Sequence, residues 1–344
     1  MQIPIQNIYY LLCYAWNKLE EKDKVQISID GDTSLIDLFA KVLINASSIL
    51  LKRGFDRDYV SQTDEIAGIK GKIEFGLTIK RNSLHRYKAY CSYDEFSADI
   101  MHNQILYTTL YRLLYFKGLD HTLKEQIRKI LLMFPPISLI SLSQSHFKQA
   151  RIDRNNRFYK FILNVCHIIY ESSLPDEKTG EWLFQDFTRD ERKMAQMFEE
   201  FVFQFFRNER PELQVSRKQF SWKFQTLNAM ELEYLPIMKT DITIESEDAR
   251  IIIDTKYYKE TMNSRFSQDK IKSDNLYQLF SYLIHQRDGS TKFDATRGIL
   301  LYPTIDEDHD LSYQFEGHQI EIKTVNLNTH WKKIEERLNY ILSV

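Results

Sequence analysis

Two aspartates and a lysine lie close together in the segment MKTDITIESEDARIIIDTKYYK. Asp241 belongs to a run of alternating polar and apolar residues, and Asp254 follows the apolar run at residues 251–253, so two neighbouring strands are predicted. If the turn between them centres on residues 247 and 248, Asp241 falls opposite Asp254. Lys256 stands two residues beyond Asp254 and therefore points to the same face of the strand. This register brings two carboxylates and an ammonium group together.

These three groups suit the hydrolysis of a phosphodiester. Carboxylate oxygens are the ligands that Mg²⁺ prefers, and the ion keeps positions for water and phosphate. Such an ion lowers the pKa of a bound water and neutralises charge on phosphorus, while a lysine beside it orients or deprotonates the nucleophile. We therefore expect Asp241 and Asp254 to bind Mg²⁺, with Mn²⁺ as a second choice, and Lys256 to act beside them. The alternative is an ordinary hairpin with a cross-strand ion pair.

Residues on two flanking helices could reach the same place. The apolar residues of a helix predicted over 189–208 put Glu199 at the edge of its buried face and Glu200 towards solvent. On a helix predicted over 271–286, Gln278 and Tyr282 are four positions apart and share a face. Their neutral groups can hydrogen-bond to a carboxylate, a water or a phosphate. The alternative is that these polar side chains are simply solvated at the surface.

The elements that would position these residues follow in the order helix, three strands, helix, strand. The strands are predicted over 217–224, 236–244, 250–258 and 297–303, and a last helix over 328–342. The first half is predicted to hold helices and, between residues 59 and 93, short strands. One of these helices runs from Ser34, its N-cap, to Gly54. The polar stretch 171–182 contains proline and glycine, so we predict domains over 1–180 and 181–344 in an α+β protein.

Composition excludes several classes of protein. With 43% hydrophobic and 13% aromatic residues, the 344-residue chain has the material for packed cores. The 46 basic and 48 acidic residues give a net charge of −2, which excludes a uniformly basic nucleic-acid-binding surface. Three widely spaced cysteines argue against a disulfide scaffold and fit the reducing cytoplasm. No apolar run reaches about 18 residues, so no membrane span is expected.

The polar residues singled out above resemble the motif of the PD-(D/E)xK nuclease superfamily. Asp241 matches the first acid of the motif, Asp254 the second and Lys256 its lysine, with Glu199 on the preceding helix. Gln278 and Tyr282 match the QxxxY element of the exonuclease-like branch. One departure is Thr240, which stands where the motif has proline. The resemblance implies a restriction-endonuclease-like α/β domain in the second half of the chain.

Segments along nearly the whole chain resemble the McrC family, the nuclease subunit of McrBC-type modification-dependent restriction systems. They include IPIQNIYYLLCYAW at 3–16, GIKGKIEFGLTIKR at 68–81, YDEFSADIMHNQILYTTL at 93–110 and LLYPTID at 300–306. The resemblance implies an N-terminal domain of helices and short strands that binds a partner. That partner would be an McrB-like hexamer of an AAA+ GTPase, whose own domain binds methylated double-stranded DNA and whose GTP hydrolysis the chain stimulates.

The segment GIKGK, residues 68–72, is the candidate for contact with this ring. It lacks the GxxxxGK[ST] spacing of a phosphate-binding loop, so GTP must be bound elsewhere. Its glycines and the charges of Lys70 and Lys72 suit a protruding turn; a solvated turn without a partner is the alternative. The expected function is Mg²⁺-dependent DNA cleavage near a 5-methylcytosine-type modification. Two alternatives stay open: a stand-alone PD-(D/E)xK DNA nuclease, and a non-catalytic activator of an NTPase.

Overall fold

The computed structural model describes residues 3–16, 34–153, 156–176, 181–222, 224, 229–246, 249–258, 271–286 and 296–342. The chain divides into two compact units. One, which we call the sheet unit, comprises Met1–Ile29 and Asp186–Val344; the other, the helical unit, comprises Asp30–Gln185. Both contain helices and strands, which confirms the predicted α+β class. In the described part of the chain, none of the helices has the length and hydropathy that a membrane span needs.

Helices and strands are numbered here in chain order. The helices of the described residues are α1 Ile5–Ala15, α2 Leu35–Arg53, α3 Phe75–Lys80, α4 Met101–Leu113, α5 His121–Leu132, α6 Gln144–Gln149, α7 Arg157–Glu171, α8 Glu191–Glu209, α9 Ser273–His285 and α10 Trp331–Leu342. The strands are β1 Asp58–Ile66, β2 Lys72–Ile73, β3 Ala89–Ser97, β4 Ser173–Pro175, β5 Trp182–Phe184, β6 Gln214–Ser216, β7 Gln219–Phe220, β8 Met238–Lys239, β9 Ile242–Glu245, β10 Arg250–Thr255, β11 Arg297–Thr304, β12 Asp310–Phe315 and β13 His318–Asn326.

The helical unit is built on α2, α4, α5 and α7, which pack against one another. Helix α2 has the ends that the sequence predicts. The Ser34 hydroxyl accepts a hydrogen bond from the Asp37 N–H, and the Asp37 carboxylate accepts one from the Ser34 N–H. Gly54, at a φ of 98°, ends the helix in a conformation that other residues rarely adopt.

A three-stranded antiparallel sheet in the order β1-β3-β2 completes this unit. Residues 67–71 therefore cross from one side of β3 to the other instead of forming a simple hairpin turn. Gly71 has a φ of 68°, and a Cβ atom added there would lie 2.3 Å from the carbonyl oxygen of Ser92. Glycine is required at this position because the connection passes directly over the backbone of β3.

The sheet unit contains a six-stranded sheet in the order β12-β13-β11-β10-β9-β6. Strand β11 is parallel to both of its neighbours, β10 and β13. The other three pairs, β9–β10, β6–β9 and β12–β13, are antiparallel. All eight residues of β11 are buried, as expected of a central strand with both faces covered. Helix α9 connects β10 to β11 and packs on both, and α8 packs against β6 and β10.

The antiparallel pair β9–β10 has the predicted register: Ile242 pairs with Ile253, and Thr243 with Ile252. The predictions of unbroken strands over 217–224 and 236–244 were wrong. Thr240, fully buried, accepts a hydrogen bond from the Lys218 N–H through its hydroxyl and donates its own N–H to the Lys218 carbonyl, both at 3.0 Å. Lys218 lies between β6 and β7, and Thr240 lies between β8 and β9, so these bonds are made where both predicted strands are interrupted.

Helix α1 belongs to the sheet unit. The Tyr14 hydroxyl donates to the Glu209 carboxylate at 2.7 Å, and its ring lies edge-on against Phe201, with centroids 5.7 Å apart. The division at residues 180 and 181, predicted from a polar stretch, thus differs from the structural units, because a buried helix face finds its partner irrespective of distance along the chain. The roles assigned to the two domains stay predictions.

Candidate active site

Asp254 is fully buried near the end of β10. Lys256 Nζ lies 2.8 Å from its Oδ2 as a hydrogen-bonded ion pair, and Oδ1 has no hydrogen-bond partner among the described residues. Burial, and then the negative charge of Asp241, raise the pKa of Asp254 to about 7, with Lys256 acting against them. A buried carboxylate oxygen without a hydrogen bond is costly. A cation beside it would remove this cost.

Asp241 lies just before β9, next to the end of β10. Its Oδ2 accepts hydrogen bonds from the Thr255 N–H at 2.9 Å and from the Thr255 hydroxyl at 3.1 Å. The predicted register and these bonds bring the two aspartates together, as the effect of Asp241 on the pKa of Asp254 also indicates. Thr255 was not singled out from the sequence, although its place between Asp254 and Lys256 was visible there.

Lys256, Gln278 and Tyr282 form one hydrogen-bonded chain. Lys256 Nζ donates to Gln278 Oε1 at 2.9 Å, Gln278 Nε2 donates to the Tyr282 hydroxyl at 2.7 Å, and that hydroxyl donates to the Lys239 carbonyl at 2.8 Å. Burial acts to lower the pKa of Lys256, but the Asp254 carboxylate outweighs it and the pKa is raised. Lys256 therefore carries its positive charge at neutral pH.

Glu199 reaches the same region from α8. Burial and the charge of Asp241 raise the pKa of Glu199, and Arg217 opposes them. Arg217 Nη2 lies 3.2 Å from Glu199 Oε1 and 2.7 Å from Glu200 Oε2, and Arg217 Nε donates to the Asp241 carbonyl at 3.3 Å. The expectation that Glu200 points to solvent was wrong, because Arg217 and Gln204 both hydrogen-bond to it. The sequence contained no signal for this role of Arg217.

The donor set fits a hard divalent cation. Within the described ranges, no three His, Cys, Asp or Glu side chains converge closely enough to bind an ion by themselves. Asp241 and Asp254 are two oxygen-bearing groups, and Mg²⁺ commonly uses one or two carboxylates and retains several waters. The unpartnered Oδ1 of the buried Asp254 is the feature that favours a cation over a plain ion pair. Asp241 and Asp254 are thus the residues that could hold the metal.

Lys70 and Lys72 lie in the helical unit and have partners within it. Lys70 Nζ is 3.8 Å from the centroid of the Tyr93 ring, and Lys72 Nζ is 3.3 Å from Glu74 Oε1. The residues around them present an apolar surface that the sequence did not predict, because hydrophobicity alone does not reveal exposure. We call it the exposed apolar surface, and its large side chains are Ile69, Phe75, Leu77, Ile79, Leu84 and Tyr87.

Comparison with known proteins identifies the family. Residues 6–303 match the family model described as McrBC 5-methylcytosine restriction system component. A relative from Escherichia coli (strain K12), the type IV methyl-directed restriction enzyme EcoKMcrBC, is 34% identical over 336 residues, which cover 98% of this chain and 96% of the relative.

A solved structure from Thermococcus gammatolerans has a similar fold. It is the half-complex from a tetradecameric assembly of McrB AAA+ hexamers with bound McrC. The TM-score is 0.57 at 17% sequence identity, and the alignment covers 98% of this chain and 76% of that chain. From the extent of the family match and the identity to the relative from E. coli, this chain belongs to the family of McrBC 5-methylcytosine restriction system components.

Proposed function

We propose that the chain is the DNA-cleaving subunit of a modification-dependent restriction complex and that it hydrolyses phosphodiester bonds with Mg²⁺. One observation carries this proposal: in the buried Asp254 carboxylate, Oδ2 lies 2.8 Å from Lys256 Nζ and Oδ1 has no hydrogen-bond partner among the described residues. Family membership supports DNA as the substrate. The spacing of Asp241, Asp254 and Lys256 supports the nuclease chemistry, with Mn²⁺ as a replacement for Mg²⁺.

Each residue of the site has a separate task in this proposal. Asp241 and Asp254 would hold the ion, which when bound would supply positive charge beside the scissile phosphate and acidify a water. Lys256 keeps its proton and stabilises negative charge on the phosphate, since its pKa is raised. Gln278 and Tyr282 hold the Lys256 ammonium in place through their hydrogen-bonded chain to β8. Glu199, near Asp241, accepts a hydrogen bond from the attacking water.

The proposed partner is a hexameric AAA+ GTPase that reads methylated double-stranded DNA. The solved relative consists of McrB AAA+ hexamers with bound McrC, and the relative from E. coli is named as methyl-directed. The exposed apolar surface and Lys70 and Lys72 are the proposed contact region. Ile69 and Tyr87 are 74% and 92% exposed, and several large apolar side chains exposed in one segment are typical of an interface. Through it, the chain would stimulate GTP hydrolysis by the ring.

The test is a cleavage assay on methylated and unmethylated plasmid, with and without the co-expressed AAA+ partner. We expect cleavage of the methylated plasmid only when partner, GTP and Mg²⁺ are all present. Mn²⁺ should support the reaction, whereas Ca²⁺ should permit binding with little turnover. Cleavage without partner and GTP would favour a stand-alone nuclease. Stimulated GTP hydrolysis without cleavage in either Mg²⁺ or Mn²⁺ would favour a non-catalytic activator.

A further inference from the structure

A groove in the sheet unit adjoins the candidate active site. It has a volume of about 370 Å³, and the residues that line it include Trp222, Ile237, Met238, Lys239, Gln278 and Tyr282. This volume lies within the range of small-molecule sites, about 300–1,000 Å³. We call it the Trp222 groove. Gln278 and Tyr282 are shared between the groove and the hydrogen-bonded chain that ends at Lys256.

The aromatic wall of the groove is held in a fixed position. Trp222 Nε1 donates to the Pro236 carbonyl at 2.7 Å. The Trp222 ring stacks on Phe224, with centroids 5.2 Å apart and planes inclined by 27°, and lies edge-on against His285. Buried Met238 contributes an apolar surface, whereas Ile237 is 66% exposed at the edge. A flat aromatic ligand could thus meet a preformed aromatic wall.

The charges of the groove suit a ligand that is part of a negatively charged polymer. Among the described residues that line it, none is acidic, and Lys239 is basic. Lys239 is exposed, and its carbonyl accepts the hydrogen bond from Tyr282. A strand whose phosphate lies at Lys256 would therefore run past a basic, aromatic recess on the other side of Gln278. Proteins that bind single strands combine basic grooves with aromatic side chains in this way.

We propose that the Trp222 groove binds an unpaired nucleobase of the DNA strand next to the scissile phosphate. The proposal rests on the proposed nuclease function and adds that the duplex is locally opened where it is cut. Bases inside a duplex are stacked and cannot enter a recess in the protein, so the base must leave the stack. Stacking on Trp222 offsets the loss of stacking in the DNA, and the interaction does not depend on which base it is.

The test uses a methylated duplex that carries one unpaired 2-aminopurine, a base whose fluorescence is quenched by stacking. The full chain is assembled with its AAA+ partner and a non-hydrolysable GTP analogue in Ca²⁺. We expect the fluorescence to fall on binding, and this duplex to bind at least about 5-fold more tightly than its fully paired counterpart. Trp222→Ala should abolish both effects, and Trp222→Phe should keep them.

Tyr277→Ala is the matched control, because Tyr277 is a 69% exposed aromatic residue on α9 that does not line the groove. It should behave as the wild type. Unchanged quenching in a folded Trp222→Ala variant would overturn the proposal while cleavage by the wild type left the nuclease assignment intact. Loss of GTPase stimulation with Trp222→Ala would mean that a partner segment occupies the groove, which also overturns it. Absence of cleavage by the wild type would instead overturn the nuclease function, since quenching is measured without cleavage.

Discussion

Lys256 Nζ and Asp254 Oδ2 lie 2.8 Å apart, where the central strand β10 ends. One ammonium group here faces the charge of two carboxylates, since Asp241 also acts on both residues. Burial and the charge of Asp241 outweigh Lys256 and raise the pKa of Asp254 to about 7. Its unpartnered Oδ1 and raised pKa are what we expect of a site that becomes complete on binding a cation.

Replacing either member of this pair should abolish most DNA cleavage. Asp254→Ala removes a proposed metal ligand, and Lys256→Ala removes the positive charge proposed to lie beside the phosphate. Each should lower the cleavage rate by at least about 10²-fold, the lower range for the loss of one acid–base or electrostatic group. Both variants should still stimulate GTP hydrolysis by the ring, because the proposed contact region lies in the helical unit. The measurement is plasmid cleavage and GTP hydrolysis on one preparation of each variant.

Full cleavage by Asp254→Ala would disprove the site assignment. Loss of both activities in a variant that melts like the wild type would contradict the division of tasks between the two units.

The stability of the metal-free protein should depend on pH through Asp254. The folded state keeps a proton on this carboxyl up to about pH 7, whereas an unfolded chain releases it near pH 4. The stability gained from the neutral carboxyl is thus complete below about pH 4 and is lost as the pH rises through 7. Asp254→Asn is neutral throughout, so its melting temperature relative to the wild type should rise between pH 5 and 8. Thermal melting in chelator measures this difference.

Asp99 in the helical unit is a control of opposite sign. Burial acts to raise its pKa, but hydrogen bonds from Ser138 and Gln104 leave the pKa lowered. The Ser138 hydroxyl and N–H donate to Asp99 at 2.6 and 2.8 Å. A carboxyl whose pKa is lowered by folding stabilises the protein at pH values above its pKa in the unfolded chain. This stabilisation is lost as the pH falls through its pKa in the folded protein. The loss of melting temperature caused by Asp99→Asn should therefore become smaller as the pH is lowered. If Asp254→Asn and Asp99→Asn showed the same trend with pH, the assignment of opposite pKa shifts to the two carboxyls would be contradicted.

Local patterns in the sequence were enough to predict much of the site. Alternation and the position of the turn predicted the register of β9 and β10, and capping residues predicted both ends of α2. These features depend on neighbours in the chain. The predicted grouping of Asp241 with Asp254 follows from them, because a hairpin brings together residues that are close in sequence.

Features that depend on distant contacts were not predicted. Arg217 forms ion pairs with Glu199 and Glu200, which lie on α8. In the sequence it looks like any other charged residue of a predicted strand. The crossing of β3 by residues 67–71 depends on which side of the sheet β2 joins. Trp222 becomes part of a groove only when α9 packs beside it. Such properties are set by tertiary packing, which single-sequence patterns do not record.

Arg217 should act as a positioning residue. Arg217→Ala removes the cation from Glu199, so the pKa of Glu199, already raised by burial and by Asp241, should rise further. We expect cleavage at neutral pH to fall by about 10-fold or more and the acid limb of the rate–pH profile to move to higher pH. Arg217→Lys should restore part of the rate. The measurement is cleavage rate against pH.

Arg210→Ala is the control, because Arg210 forms an ion pair with Glu212 in the same unit. If Arg217→Ala lowered the melting temperature but left the acid limb of the rate–pH profile where it is in the wild type, Arg217 would have a merely structural role.

Reversing the charges of the proposed contact region should weaken GTPase stimulation. Lys72 is 80% exposed along its side chain, so its ion pair with Glu74 contributes less than about 1 kcal/mol to stability. Replacing Lys70 and Lys72 with Glu should leave the melting temperature nearly unchanged and raise the concentration needed for half-maximal stimulation. Lys117→Glu with Lys129→Glu makes the same change of charge at two other exposed positions of the unit. Equal effects of the two double variants would mean that only net charge matters.

The exposed apolar surface should contribute more to partner binding than the lysines do. Phe75 and Ile79, both on α3, are 67% and 65% exposed, so replacing them with Ser removes little buried area from the folded chain and should leave its stability nearly unchanged. If the ring covers these side chains, the double variant should need at least about 10-fold more protein for half-maximal GTPase stimulation, because buried aromatic anchors dominate interfaces. Leu132→Ser, at an 86% exposed position of the same unit, is the matched control. Normal stimulation by a folded Phe75→Ser, Ile79→Ser variant would move the contact to another surface.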